Sequence, residues 1–138
     1  MTRSITTVSP TIDREAFRDE SLPRSLGILC LLAIALIHLL DFKSKWHEVK
    51  YLSIGYLVLI AVCLVVADRL FHKPTPTVWI ASGLVGFSAL IAFVVNRTIG
   101  LPQAHDDIGN WAEPLGIATL FAEVIAVYIS INAVRHRH

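Results

Sequence analysis

Residues 25–42 read SLGILCLLAIALIHLLDF and are the clearest sign of the fold. This stretch is almost unbroken Leu, Ile and Ala, and a helix that spans a bilayer needs about 20 predominantly apolar residues. Three further stretches of this kind follow, at about residues 49–67, 78–95 and 114–134. The sequence therefore predicts an all-α fold, an integral membrane four-helix bundle.

The composition of the whole chain agrees with a membrane protein. Its 138 residues are 54% hydrophobic and only 17% charged, whereas soluble domains carry about 25% charged residues. A soluble chain of this size could not bury so much apolar surface. The net charge of +1 gives no reason to expect a nucleic-acid partner. The sequence contains no Gly-rich phosphate loop, nucleophile elbow or CxxC motif, and we expect a non-enzymatic protein.

The connections between the predicted spans are short, which favours antiparallel neighbours in up-down-up-down order. They cover residues 43–48, 68–77 and 97–113. The predicted organisation is a polar N-terminal tail (1–23), one transmembrane domain (24–135) and a short C-terminal tail (136–138).

The distribution of basic residues predicts the orientation, because cytoplasmic loops carry an excess of Lys and Arg. The side that holds both termini carries Arg3, Arg14, Arg18, Arg24, Arg69, Lys73, Arg135 and Arg137. The opposite side carries Lys43, Lys45, Lys50 and Arg97. We therefore predict a multi-pass protein of the inner (plasma) membrane with both termini in the cytoplasm.

Glu123 is the most unusual residue of the four spans. It lies nine residues into the fourth span, which is roughly 14 Å at 1.5 Å per residue. A charged group at the centre of a bilayer costs about 2.5–3.5 kcal/mol on insertion scales. Small and weakly polar residues share its helical face, and such residues mark the packed face of a membrane helix. They are Gly116, Thr119, Ala126 and Ser130. Glu123 is therefore expected to point into the bundle.

Further ionisable residues gather at the non-cytoplasmic ends of the predicted helices. His38 and Asp41 share a face of the first helix, and the third connection adds several more. Imidazole nitrogen and carboxylate oxygen together suit zinc, copper(II) or iron. The candidate ligands for copper or zinc are His38, Asp41, His105, Asp107, Glu113 and Glu123.

A structural network is the alternative interpretation of the same residues. In it, Arg97 pairs with Glu113 or Asp107, and Asp41 holds His38. Glu123 is then protonated or bonded to Tyr56 or Thr119, because burial disfavours the charged form of a carboxyl group. Arg97, Tyr56 and Asn96 are the expected members of this network beyond the candidate ligands. The spacing matches no fixed metal motif, and both interpretations stay open at this stage.

Four features of the chain resemble a group of small four-span bacterial membrane proteins. They are His38 late in the first helix, the Arg97 to Pro102 run R-T-x-G-x-P, the Glu113 to Gly116 run E-P-x-G, and Glu123. The resemblance covers about residues 25–134 and implies the fold and a bacterial membrane setting, but no reaction or ligand. Where that group has a further Gly-Pro, this chain has Gln103-Ala104-His105, so a ligand role for His105 would be particular to this chain.

Two functions of different classes follow from these observations. The first is a non-enzymatic membrane protein that binds a transition-metal ion at an outward-facing His and carboxylate site. The alternative is an accessory subunit that stabilises a larger membrane complex. The expected partners are the lipid bilayer and other membrane subunits or a second copy of the chain. A bis-His haem protein is disfavoured, because only His38 lies within a span.

Overall fold

A computed structural model describes residues 21–135, and the predicted tails at 1–20 and 136–138 lie outside the described residues. Four long helices account for most of the described chain: α1 (Ser21–Glu48), α2 (Lys50–His72), α3 (Pro76–Thr98) and α4 (Pro114–Arg135). Each is long and apolar enough to cross a membrane. The prediction of an all-α membrane four-helix bundle is confirmed, and the chain is a polytopic membrane protein.

The helices extend beyond the predicted apolar spans. The stretch predicted as the first connection, 43–48, is helical and completes α1, so that Val49 alone separates α1 from α2. Hydropathy marks only the part of a helix that suits hydrocarbon, whereas a helix continues into the polar interface where its side chains pair. Lys45 and Glu48 form such a pair, 3.2 Å apart. Residues 21–23, predicted as the end of the N-terminal tail, also belong to α1.

The helices follow one another around the bundle in chain order, because each packs on the next and α4 also packs on α1. Helix α3 begins at Pro76, where a missing N–H costs nothing, and the Thr75 side chain accepts a hydrogen bond from the Val78 N–H. Gly86 allows a close approach of α3 to α4, because an added Cβ would lie 3.0 Å from the Glu123 carbonyl oxygen.

The small-residue face predicted around Glu123 is the buried face of α4, and α3 buries a similar face against it. In α3 the residues Ser82, Gly86 and Ala89 are buried. In α4 the buried residues are Gly116, Thr119, Ala122, Glu123, Ala126, Ile129 and Ser130. The inward orientation predicted for Glu123 is therefore confirmed.

The two halves of the bundle differ in how they are filled. The half nearer the chain termini holds the apolar core, in which Leu31, Ile34, Leu70 and Trp79 are almost completely buried. The opposite end carries the connection 99–113, and we call it the loop end. Polar side chains and a cavity occupy the half of the bundle at the loop end.

The connection 99–113 folds back onto the loop end. It turns at Gly100, whose φ of 82° favours glycine, and a Cβ there would lie 2.8 Å from the Ile108 side chain. The Tyr51 hydroxyl at the start of α2 donates to the Pro102 carbonyl at 2.6 Å. A single 3-10 turn, His105–Asp107, then brings Asp107 into the bundle, where it is buried.

Candidate functional site

A cavity of about 280 Å³ lies between the four helices in the half at the loop end. Its size is close to the lower end of the range for small-molecule pockets, about 300–1,000 Å³. Apolar side chains such as Leu52, Leu59 and Phe93 form much of its wall. Its ionisable lining residues are His38, Asp41, Lys45, Tyr56, Arg97, Asp107, Glu113 and Glu123.

Most of the residues predicted for the site lie on this cavity. Of the six candidate metal ligands, the five that line it are His38, Asp41, Asp107, Glu113 and Glu123. The predicted network residues Arg97, Tyr56 and Asn96 line it as well. His105 differs from them, because it lies exposed on the 3-10 turn and is not a lining residue. The turn that carries Asp107 inwards leaves His105 outside.

Arg97 joins the connection to the end of α3. Its guanidinium is buried, and Nη1 donates to the carbonyl oxygen of Asp107 at 3.2 Å and to Oδ1 at 3.3 Å. Nη2 donates to the carboxylate of Glu113, which directly precedes α4. The guanidinium also lies 5.3 Å from the ring centroid of Phe93. The sequence left open whether Arg97 pairs with Glu113 or Asp107, and the structure pairs it with both.

Asp107 has three neighbours that favour its charged form. Lys45 Nζ lies 3.1 Å from Oδ2, and the Asn96 side-chain amide donates to the same oxygen at 2.9 Å. Burial by itself raises the pKa of this carboxyl, but the hydrogen bonds from Asn96 and Lys45 and the charges of Lys45 and Arg97 outweigh burial and lower it. Asp107 is therefore an ionised anchor that holds the connection to α1 and α3.

A second polar group lies deeper, between α1 and α2. The Tyr56 hydroxyl donates to Asp41 Oδ2 at 3.2 Å, and the His38 ring stacks edge-on against Tyr56 with the centroids 4.9 Å apart. His38 Nδ1 lies 2.8 Å from the Ile34 carbonyl oxygen of its own helix. The expected support of His38 by Asp41 is replaced by this backbone contact, because Asp41 turns to Tyr56 on the neighbouring helix.

Glu123 occupies the deepest polar position of the cavity. Its exposed fraction is 0%, and its Oε1 accepts a hydrogen bond from the Thr119 hydroxyl at 3.0 Å. Of the two partners expected from sequence, Thr119 is the one observed, since it lies one turn earlier on α4, whereas Tyr56 is taken by Asp41. Glu123 Oε2 has no hydrogen-bond partner among residues 21–135.

The charges that line the cavity do not balance. Among residues 21–135, four carboxyl groups face it, and the lining includes two permanently basic groups, Lys45 and Arg97. Both basic groups contact Asp107, and Arg97 also contacts Glu113. Within the described part of the chain, Asp41 and Glu123 form no ion pair. The arrangement can therefore accept added positive charge, either as protons or as a bound cation.

The ligating side chains are spread around the cavity rather than gathered at one point. No three His, Cys, Asp or Glu side chains within residues 21–135 lie close enough together to hold a metal ion. A cation in the cavity would therefore meet separate carboxyl groups and apolar walls, and not a complete set of ligands.

Sequence reasoning missed one member of the site, Lys45. It follows His38 and Asp41 at i+7 and i+4, so the three share one face of α1. That spacing could have placed Lys45 with the cluster if the helix had been extended beyond the apolar span.

Comparison with known proteins adds no functional assignment to this geometry. No protein-family model, curated protein or solved structure matches the chain.

Proposed function

We propose that this polytopic membrane protein is a non-enzymatic protein that binds a cation in the cavity at the loop end. The observation that carries the proposal is the completely buried carboxyl group of Glu123, whose Oε2 has no partner within the described residues. Glu123 and Asp41 form no ion pair there. An isolated buried carboxylate is costly in apolar surroundings. Intramembrane acidic residues of this kind commonly mark a path or site for ions or ligands.

The other polar residues of the cavity have a structural role in this proposal. Arg97, Lys45 and Asn96 neutralise or bond Asp107, and Arg97 also neutralises Glu113. These contacts close the loop end and fix the connection. They leave two carboxyl groups without an ion pair among residues 21–135, those of Asp41 and Glu123, and Glu123 is the one proposed to interact with a bound cation.

A transition-metal ion, copper or zinc, is a second candidate for the occupant. His38 supports it, because the Nδ1 contact with Ile34 leaves Nε2 as the ligand atom in the matching tautomer. Asp41 and Glu123 line the same cavity. Binding of such an ion requires these three side chains to move closer together, since they are not gathered as a metal site.

The test is a comparison of bound cations in three forms of the full-length protein, extracted in mild detergent without chelators. Glu123→Gln keeps the shape of the side chain and the bond from Thr119 but removes the charge. Glu48→Gln is the matched control, because Glu48 is exposed and does not line the cavity. Elemental analysis measures metals, and native mass spectrometry measures bound small molecules.

We expect wild type and Glu48→Gln to retain a cation that Glu123→Gln loses. The same cation content in all three forms would refute a site at Glu123. A copper or zinc content that also falls in His38→Ala would select the metal ion as the occupant.

The accessory-subunit alternative stays a prediction. The large apolar side chains on the outside of the helices, such as Leu36, Leu84 and Phe121, are exposed and suit either lipid or a partner helix. Co-purification of a larger partner at fixed stoichiometry from native membranes is the observation that would favour it. The cytoplasmic position of the termini and the bacterial family likewise stay predictions.

A further inference from the structure

The packing of the bundle leaves a gap on one side. Helices α2 and α3 contact each other less than the other neighbouring pairs do. Gly55 on α2 and Ser88 and Ala92 on α3 line the cavity, and all three are exposed. A Cβ added at Gly55 would meet no atom of the described residues within 4 Å. The cavity therefore has a lateral mouth, formed by Gly55, Ser88 and Ala92.

The mouth lies at the depth of the hydrocarbon. Gly55 is five residues from the start of α2, and Ser88 is ten residues from the end of α3. At a rise of 1.5 Å per residue, these positions are about 7 and 15 Å below the helix ends. Since the hydrocarbon core is about 30 Å thick, the mouth faces lipid chains rather than water.

The loop end, by contrast, is closed by ionic and hydrogen-bonded contacts. The Tyr51 hydroxyl, one helical turn before Gly55 on α2, donates a hydrogen bond to the Pro102 carbonyl oxygen at 2.6 Å. Asp107 lies between Lys45 and Arg97, and both Asp107 and Arg97 are buried. A ligand that came from the aqueous side would have to break these contacts, whereas a ligand in the bilayer would pass only small side chains.

We infer that the cation bound in this cavity is a lipophilic amine, which enters from the bilayer through the mouth between α2 and α3 and places its charged nitrogen near Glu123. This inference rests on the proposed function and names its ligand class. Apolar walls at Leu52 and Leu59 suit the hydrocarbon part of such a molecule. The Tyr56 ring adds an aromatic face of the kind that attracts organic cations. A hydrated metal ion lacks the apolar part that would bring it to a mouth in the hydrocarbon.

The route can be tested with dicyclohexylcarbodiimide, a lipid-soluble reagent that adds covalently to carboxylic acid groups in apolar surroundings. The full-length protein is placed in lipid nanodiscs, and mass spectrometry follows the rate of addition to the peptide that contains Glu123. Glu123→Gln identifies the labelled position. Gly55→Phe and Ala92→Phe obstruct the mouth, and Ala118→Phe is the control, because Ala118 is exposed on α4 and does not line the cavity.

We expect Glu123 to be labelled several-fold more slowly in Gly55→Phe and Ala92→Phe than in wild type and Ala118→Phe. The substituted positions are exposed, so the variants are expected to fold, and an unchanged elution volume in size-exclusion chromatography checks this. Equal labelling rates in all four proteins would overturn entry through the mouth.

The ligand class is tested by protection against the same reagent. Octyltrimethylammonium is expected to slow the labelling of Glu123, whereas the neutral hydrocarbon in which carbon replaces the nitrogen is not. Protection by Cu²⁺ or Zn²⁺ without protection by octyltrimethylammonium would overturn the amine and leave the proposed cation site intact. The absence of protection by any of these cations would contradict both proposals.

Discussion

Lys45 Nζ lies 3.1 Å from Asp107 Oδ2, although the two residues are 62 positions apart in the sequence. The contact joins the extension of α1 to the 3-10 turn of the connection 99–113. Both side chains are largely buried, with exposed fractions of 14% and 12%. The contact therefore fixes the connection against the bundle and closes the cavity at the loop end.

Replacement of Asp107 by Asn is expected to destabilise the protein. The variant leaves Lys45 and Arg97 without their shared anionic partner, and hydrogen bonds to charged groups contribute about 1.5–3 kcal/mol each. We expect the free energy of unfolding to fall by about 2–3 kcal/mol, measured by denaturation in mixed micelles. Asp106→Asn is the control, because Asp106 is exposed on the same turn. An equal loss of stability in both variants would contradict the role given to Asp107.

The stability of the protein is expected to depend on Asp107 at low pH. The pKa of this carboxyl is lowered in the folded protein, so its ionised form is favoured by folding. Its contribution to stability is complete above the unfolded pKa of about 3.9 and is lost as the pH falls through the lower folded pKa. Thermal unfolding in neutral detergent, measured from about pH 6 downwards, should show a steeper loss below about pH 4 in wild type than in Asp107→Asn. If the loss of stability with falling pH were equally steep in wild type and Asp107→Asn, Asp107 would not be its cause.

Replacement of Arg97 by Lys is expected to keep the charge but lose part of the network. The guanidinium bonds Asp107 through Nη1 and Glu113 through Nη2. A single ammonium group cannot reproduce this fork. We expect a loss of about 1–3 kcal/mol in the free energy of unfolding. Arg135→Lys, at the exposed end of α4, should change it little. Unaltered stability of Arg97→Lys would show that charge alone is sufficient.

Two glycines in the bundle should respond differently to Ala. At Gly86 a Cβ would lie 3.0 Å from the Glu123 carbonyl oxygen, whereas at Gly55 it would meet no atom of residues 21–135 within 4 Å. Overpacking costs roughly 1–3 kcal/mol, and Ala in place of Gly stabilises a helix by up to about 1 kcal/mol. Denaturation in mixed micelles should therefore find Gly86→Ala less stable than wild type and Gly55→Ala equal or more stable. The reverse order would contradict the close approach of α3 to α4.

Residue faces were predictable where helical periodicity alone decides them. The spacing of Gly116, Thr119, Glu123, Ala126 and Ser130 predicted one inward face of α4, and all five are buried. Most of the residues that line the cavity could also be predicted. They lie in the parts of the four spans that reach the same side of the membrane, so they must lie at the same level of the bundle. His105 is the exception, since an irregular connection has no periodicity from which its exposed position could be read.

Pairing within the site was not predictable in the same way. Asp41 bonds Tyr56 rather than His38, and Glu123 bonds Thr119 rather than Tyr56. When Tyr56 bonds Asp41, it is no longer available to Glu123, so one hydrogen bond determines the next. Small rotations of the helices therefore determine which hydrogen bonds form throughout the site. The C-terminal end of α1 was placed too early for a different reason. Its last turns, from residue 43 to Glu48, are polar, and hydropathy identifies only apolar parts of a helix.

By itself, the sequence determined the four membrane-spanning helices, their order and the inward position of Glu123. These features depend on the length of apolar runs and on 3.6-residue periodicity, which are local properties of the chain. The packing of the helices, and not the sequence pattern, reveals that Lys45 contacts Asp107, that Asp41 and Glu123 form no ion pair within the described residues, and that a mouth opens at Gly55. These features depend on the rotation and separation of helices packed against one another, and no local pattern specifies them.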